Sequence, residues 1–180
     1  MRTIIDEVSK EITQVLQRVD EQQAVQLSEQ IRSSNRIFIS GEGRSGLMGK
    51  AIAMRLMHGG FEVYVTGETI TPSILEGDLL IAISGSGSTG AIVQFSKKAQ
   101  EAGAKVFLVT TNPDAELTKI TDGVLVIPAA TKKRRAEEPK TIQPLGNQFD
   151  QSVHLLLDAV IIHALDDSYE KMTERHANME

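Results

Sequence analysis

Seven residues carry the most legible chemistry in this chain. Ser84-Gly85-Ser86-Gly87-Ser88-Thr89-Gly90 runs straight off the apolar Leu79-Leu80-Ile81-Ala82-Ile83 and into a segment of helical character. A phosphate needs several short donors converging from one side. Glycine lets backbone N–H groups close in, a helix N-terminus adds partial positive charge, and each hydroxyl adds a neutral donor. Ser84, Ser86, Ser88 and Thr89 supply the hydroxyls, and Gly87 the freedom of backbone. The loop has no lysine, which a nucleoside triphosphate loop would demand, so the pattern favours a phosphate monoester over a polyphosphate. The competing reading is a Ser/Gly capping turn without a ligand.

A second loop, Gly41-Glu42-Gly43-Arg44-Ser45-Gly46, follows an apolar run and opens a helix, and it matches the dinucleotide fingerprint GxGxxG. That fingerprint expects an acid at the end of the next strand, and the nearest candidate, Glu68, lies past Gly67. Three readings stay open: a dinucleotide site, a structural turn, or a second wall of the phosphate site built from Gly43, Arg44 and Ser45. Arg44 is a candidate for a ligand's negative charge, or for a surface pair with Glu42 or Glu68. A nucleophile elbow is absent, because neither loop contains G-x-S-x-G with a central serine.

Such loops do chemistry only where a sheet presents them. Short apolar runs at 36–40, 62–66, 78–84, 105–110 and 123–128 predict five strands. Helical patterns at 46–58, 90–102 and 115–121 alternate with them, which predicts a parallel sheet with both faces covered. Ligands then bind where strand carboxyl ends face helix N-termini. Ahead of the sheet, Val8, Ile12, Val15 or Leu16, and Val19 mark one helical stripe, and a second helix covers 21–33. After the last strand comes a polar connection, 131–144, then a helix over 147–166 that is apolar nearly all round and therefore buried, in part in a subunit interface. The tail from Ser168 to Glu180 is polar. The expected organisation is one domain over 1–180, with N-terminal helices at 1–33, a phosphate-binding α/β core at 34–130, and the loop, buried helix and tail at 131–180.

Composition narrows the partners. The 180 residues carry 24 acids against 19 bases, a formal charge of −5, with basic residues clustered only at Lys132-Lys133-Arg134-Arg135. No basic stripe points to nucleic acid, and no run approaches the ~20 apolar residues of a membrane-spanning helix. The basic run is answered by Glu137 and Glu138 and reads as a solvated loop, contact with substrate being the lesser alternative. Absence of cysteine excludes disulfides and thiolate metal sites and is compatible with the cytoplasm, where the chain is expected. His58, His154 and His163 lack metal-ligand spacing and read as structural, and no metal or other cofactor is expected. Met48, Met54 and Met57 fall at helical spacing and read as core fillers.

Gly43-Arg44-Ser45-Gly46-Leu47 and Ser84-Gly85-Ser86-Gly87-Ser88-Thr89 together resemble the sugar isomerase (SIS) domain family. The run 41–61, then Thr141-Ile142-Gln143-Pro144-Leu145-Gly146, then the closing His176-Ala177-Asn178-Met179-Glu180, resemble more narrowly the 6-phospho-3-hexuloisomerases. The resemblance implies a flavodoxin-like three-layer αβα sandwich with a five-stranded parallel sheet and extra N-terminal helices. It implies a sugar-phosphate substrate, interconversion of arabino-3-hexulose 6-phosphate with fructose 6-phosphate through an enediol, and no cofactor. Ser84, Ser86 and Thr89 match the family's phosphate hydroxyls, and Ser45 would orient the substrate. Ser88 stands where that loop usually has glutamate, and Asp150 where the helix start usually has glutamate.

Moving a carbonyl from C3 to C2 takes a proton from C2 and returns one to C3, while a second group shuttles protons on the oxygens. By resemblance Asp150 is the carbon base, its basicity raised by partial burial. The bland alternative is that it caps its helix. His176 is the oxygen shuttle or ring-opening group. A tetramer is expected, the tail reaching a neighbouring subunit's site. Isomerases of other sugar phosphates, and a non-catalytic sugar-phosphate sensor, are the alternatives.

Overall fold

Side-chain alternation decides which way each strand faces. In the computed structural model, which describes residues 1–165 and 169–178, the strands are β1 (Ile37–Gly41), β2 (Val63–Val65), β3 (Leu79–Ile83), β4 (Lys105–Thr110) and β5 (Gly123–Val126). They form one parallel sheet in the order β2-β1-β3-β4-β5. Ile39, Ile81 and Phe107 stand in register and turn to one face, while Phe38, Leu80 and Val106 turn to the other. Strands buried on both sides need an unbroken apolar run, which is why β3 is buried at every position.

Helices α1 (Arg2–Leu16), α2 (Glu21–Ser33), α3 (Gly43–His58) and α5 (Asn147–Ala164) supply the first face with Val15, Leu27, Leu56 and Val153. The second face is covered by α4 (Gly90–Glu101), through Ile92, Phe95 and Ala99, and by a 3₁₀ turn at Glu116–Ile120. The three-layer αβα sandwich expected from the sequence is the fold observed. Because α3 leaves β1 over one face and α4 leaves β3 over the other, a crevice opens between these adjacent strands at their carboxyl ends.

Four expectations need correction or trimming. Helix α3 begins at Gly43, three residues earlier than predicted, since Gly46 N–H reaches the Glu42 carbonyl at 3.4 Å. Arg44 and Ser45 therefore ride on its first turn. Segment 115–121 forms the 3₁₀ turn in place of an α-helix. Helix α5 ends at Ala164 and is not buried all round: Leu155 and Ile162 are exposed. Met54 and Met57 are exposed as well, and of the three methionines only Met48 packs against the core. Asp166, Ser168, Met179 and Glu180 lie outside the described residues. Among the described residues, no helix is long and apolar enough to cross a membrane and no cluster of ligands could hold a metal.

Candidate functional site

Three helices begin at the crevice, and none of the three has a side-chain N-cap hydrogen bond: α3 after Glu42, α4 after Thr89, α5 after Gly146. Helix α2, by contrast, is capped by Asp20, which accepts from Gln22 N–H at 2.9 Å. First-turn amides without an intrahelical partner, together with the helix dipole, make such ends receptive to an anion.

Between them lies a cavity of about 380 Å³. From the serine loop it is lined by Gly85, Ser86 and Thr89, from α3 by Arg44 and Ser45, and from α5 by Phe149 and Asp150. Ser84 is buried beneath, its Oγ 3.0 Å from Thr89 Oγ1, and the pair shares a hydrogen bond. Gly87 turns the loop with φ of +62°, and a Cβ there would come within 2.4 Å of Ala115 Cβ, so the turn requires glycine. Ser88 is exposed; its Oγ donates to Ser86 Oγ at 3.1 Å, and it faces a neighbouring hollow that shares Ser86. Gly43 is exposed at the start of α3 with φ of +58°. The Phe149 ring lies against Gly85, tying the start of α5 to the serine loop.

Asp150 is 5% exposed. Arg44 Nε donates to its Oδ2 at 3.0 Å and Ser45 Oγ to its Oδ1 at 3.2 Å. It does not cap α5, for its carboxylate crosses to α3. The acid sits at the fourth helical residue, and α3 and α5 pack side by side, so the carboxylate faces the first turn of its neighbour. Arg44 pairs with neither Glu42 nor Glu68: Glu68 pairs with Lys50 at 3.2 Å, while Arg44 Nη2 donates to Asn147 Oδ1.

Two further loops complete the cavity wall, and of these only the basic one carried an expectation of touching substrate. Thr111 and Asn112 leave β4, and Lys132, Lys133 and Arg135 come from the connection after β5. That basic run is not neutralised as expected. Glu138 is taken by the Thr131 N–H at 2.8 Å and hydroxyl at 2.6 Å, and Lys132, Lys133 and Arg135 form no salt bridge among the described residues. Arg135 borders the hollow holding Ser86 and Ser88 as well. Four like charges in a row were the available signal; only the folded loop aims three of them at the crevice.

His176 lies elsewhere. It is exposed, with its ring stacked 5.1 Å from that of His58 at the far end of α3, about 20 Å of helix from Ser45. Arg175 Nη1 donates to the His58 carbonyl at 3.1 Å. Burial, and then the charges of His176 and Arg55, hold His58 below its ordinary 6.5. His163 meets Ser28 Oγ at 2.6 Å through Nδ1, and His154 is exposed.

The SIS domain model matches residues 30–141. A 3-hexulose-6-phosphate isomerase of Bacillus subtilis is 39% identical over 98% of this chain and 97% of its own length. One from Mycobacterium gastri is 40% identical over 96% and 88%. The crystal structure of a hypothetical protein of Methanococcus jannaschii, from which a molecular function of 3-hexulose-6-phosphate isomerase was inferred, superposes with a TM-score of 0.84. It is 32% identical and covers 98% of both chains.

Proposed function

Since the chain belongs to the SIS domain family, we propose that it is a sugar-phosphate isomerase that interconverts arabino-3-hexulose 6-phosphate and fructose 6-phosphate. The observation that carries this reading is the placement of a buried carboxylate, Asp150, on the same cavity as the serine loop. A phosphate held at one end of a six-carbon chain leaves C2 and C3 toward the other. Identity to named isomerases over nearly the whole chain supports the choice of sugar.

In this reading Ser86 and Thr89, with the open amides at the start of α4, hold the phosphate, Ser84 fixes the Thr89 hydroxyl from beneath, and Lys133 and Arg135 add the charge that the loop lacks. Ser88 supports Ser86. Asp150 removes the C2 proton of the 3-ketose, giving a 2,3-enediol, and returns a proton to C3. Ser45 and Arg44 fix the carboxylate's direction, and Arg44 lies near the negative charge that develops on the oxygens. His176 serves the oxygen protons of a neighbouring subunit's site, because its own Asp150 stands at the opposite end of α3.

Incubating the protein with fructose 6-phosphate in deuterium oxide tests this. Label is expected at C3, through the 2,3-enediol, and Asp150→Asn should lower the exchange by on the order of a thousandfold while leaving the melting transition in place. Label at C1 would instead mark an aldose-forming isomerase, and no label at all would mark a binder without catalysis.

A further inference from the structure

Resting on the isomerase reading, we infer that Glu11, a residue of the N-terminal helix α1, is a positioning residue for Asp150, acting through a hydrogen-bonded relay of two amides. Glu11 is 4% exposed, although nothing in its own helix asks for a buried acid. Its Oε1 accepts from Ile142 N–H at 2.7 Å, and its Oε2 from Gln143 Nε2 at 2.9 Å and from the Thr141 hydroxyl. Gln143, itself buried, accepts at Oε1 from Asn147 Nδ2 at 2.8 Å. Asn147 accepts at Oδ1 from Arg44, and Arg44 donates through Nε to Asp150 at 3.0 Å.

The polarity of this relay is fixed by its ends. A guanidinium only donates and a carboxylate only accepts, whereas each amide between them can turn either way. Arg44 requires the oxygen of Asn147, so the Asn147 amide nitrogen must meet the Gln143 oxygen, and the Gln143 nitrogen must meet an acceptor. Glu11 is that acceptor. Were it neutral and able to donate, Gln143 and then Asn147 could both reverse, and Asn147 would present an NH₂ to the Arg44 guanidinium. Burial raises the Glu11 pKa, but the hydrogen bonds from Thr141, Gln143 and Ile142 and the charge of Arg134 outweigh it and leave the carboxyl below its ordinary 4.5, consistent with a permanent acceptor.

The test is Glu11→Gln, together with the exchanged pair Glu11→Gln/Gln143→Glu, which restores an acceptor-only carboxylate facing the Asn147 nitrogen. Turnover of fructose 6-phosphate in Glu11→Gln should fall by at least about tenfold in kcat with KM within about twofold, in a protein that still melts cooperatively. The exchanged pair should recover most of kcat, a rescue that a merely structural acid would not give. The side-chain NMR resonance of Arg44 Nε–H should move in Glu11→Gln and return in the exchanged pair. Should Glu11→Gln fail to fold, Gln143→Met, which leaves Glu11 bonded to Thr141 and Ile142 but cuts the relay, carries the same expectation. A kcat near that of the unmodified enzyme, or an exchanged pair no better than Glu11→Gln, would overturn the inference. If the unmodified protein turns over nothing, the isomerase reading fails on that result alone; the Arg44 resonance then decides the relay, upheld if it moves and refuted if it stays.

Discussion

At the scale of single residues, the cavity divides its labour between neutral and charged donors. Hydroxyls and amides give direction to a phosphate at little cost when the cavity is empty, but they supply only partial charge. Lys132, Lys133 and Arg135 stand on the same cavity without an anionic partner among the described residues. Arg135 also borders the hollow on the other side of Ser86, so it straddles the loop that would hold the ligand. Replacing it with alanine should raise KM on the order of tenfold with little change in kcat, because a charge on a non-reacting group binds substrate and transition state alike. The KM of the unmodified enzyme should climb with ionic strength, and that of Arg135→Ala more gently, because screening acts on the interaction already removed. Steady-state kinetics at two salt concentrations would check this.

At the scale of elements, glycines set the tolerances of the site. Gly46 lies so close to β1 that a Cβ would come within 2.6 Å of the Gly41 carbonyl oxygen, and this approach lets the first turn of α3 reach the crevice. Gly87 does the same for the serine loop, where a positive φ and the nearby Ala115 leave no room for a side chain. Gly87→Ala should destabilise the fold by on the order of 2–4 kcal/mol, the sum of a left-handed backbone penalty and local overpacking. It should also displace the Ser86 and Ser88 hydroxyls. A lowered melting temperature together with a raised KM is the expected result; a variant with native KM would mean that the turn adds nothing to phosphate binding.

At the scale of the whole molecule, the surface is left with apolar side chains that the fold does not use: Leu47 and Met54 on α3, Leu155 and Ile162 on α5, Ile4 and Ile5 on α1. A second copy of the chain is what we propose covers them, and this arrangement would bring a neighbour's tail to the crevice. Mixing Asp150→Asn with His176→Ala subunits, each inactive alone, should restore part of the activity if His176 serves another subunit's Asp150. A mixture as inactive as its components would show that the two residues never complement across subunits. Much of this architecture was legible in the sequence, because it rests on local rules. A short apolar run bounded by turn residues reads as a buried strand from its own residues, and a Ser/Gly loop entering a helix offers donors whatever lies opposite. Hence the sheet, its helices and the serine loop followed from residues near one another in the chain. What lies opposite is a matter of long-range contact. Asp150 bonds to Arg44 across more than a hundred residues, Glu11 reaches Gln143 over a still longer span, and Arg135 of the basic loop borders the same hollow as Ser86 of the loop after β3. No local pattern encodes those meetings, for they depend on how α1, α3 and α5 pack over one face, and packing alone decided which charges stay exposed to solvent and which turn into the cavity.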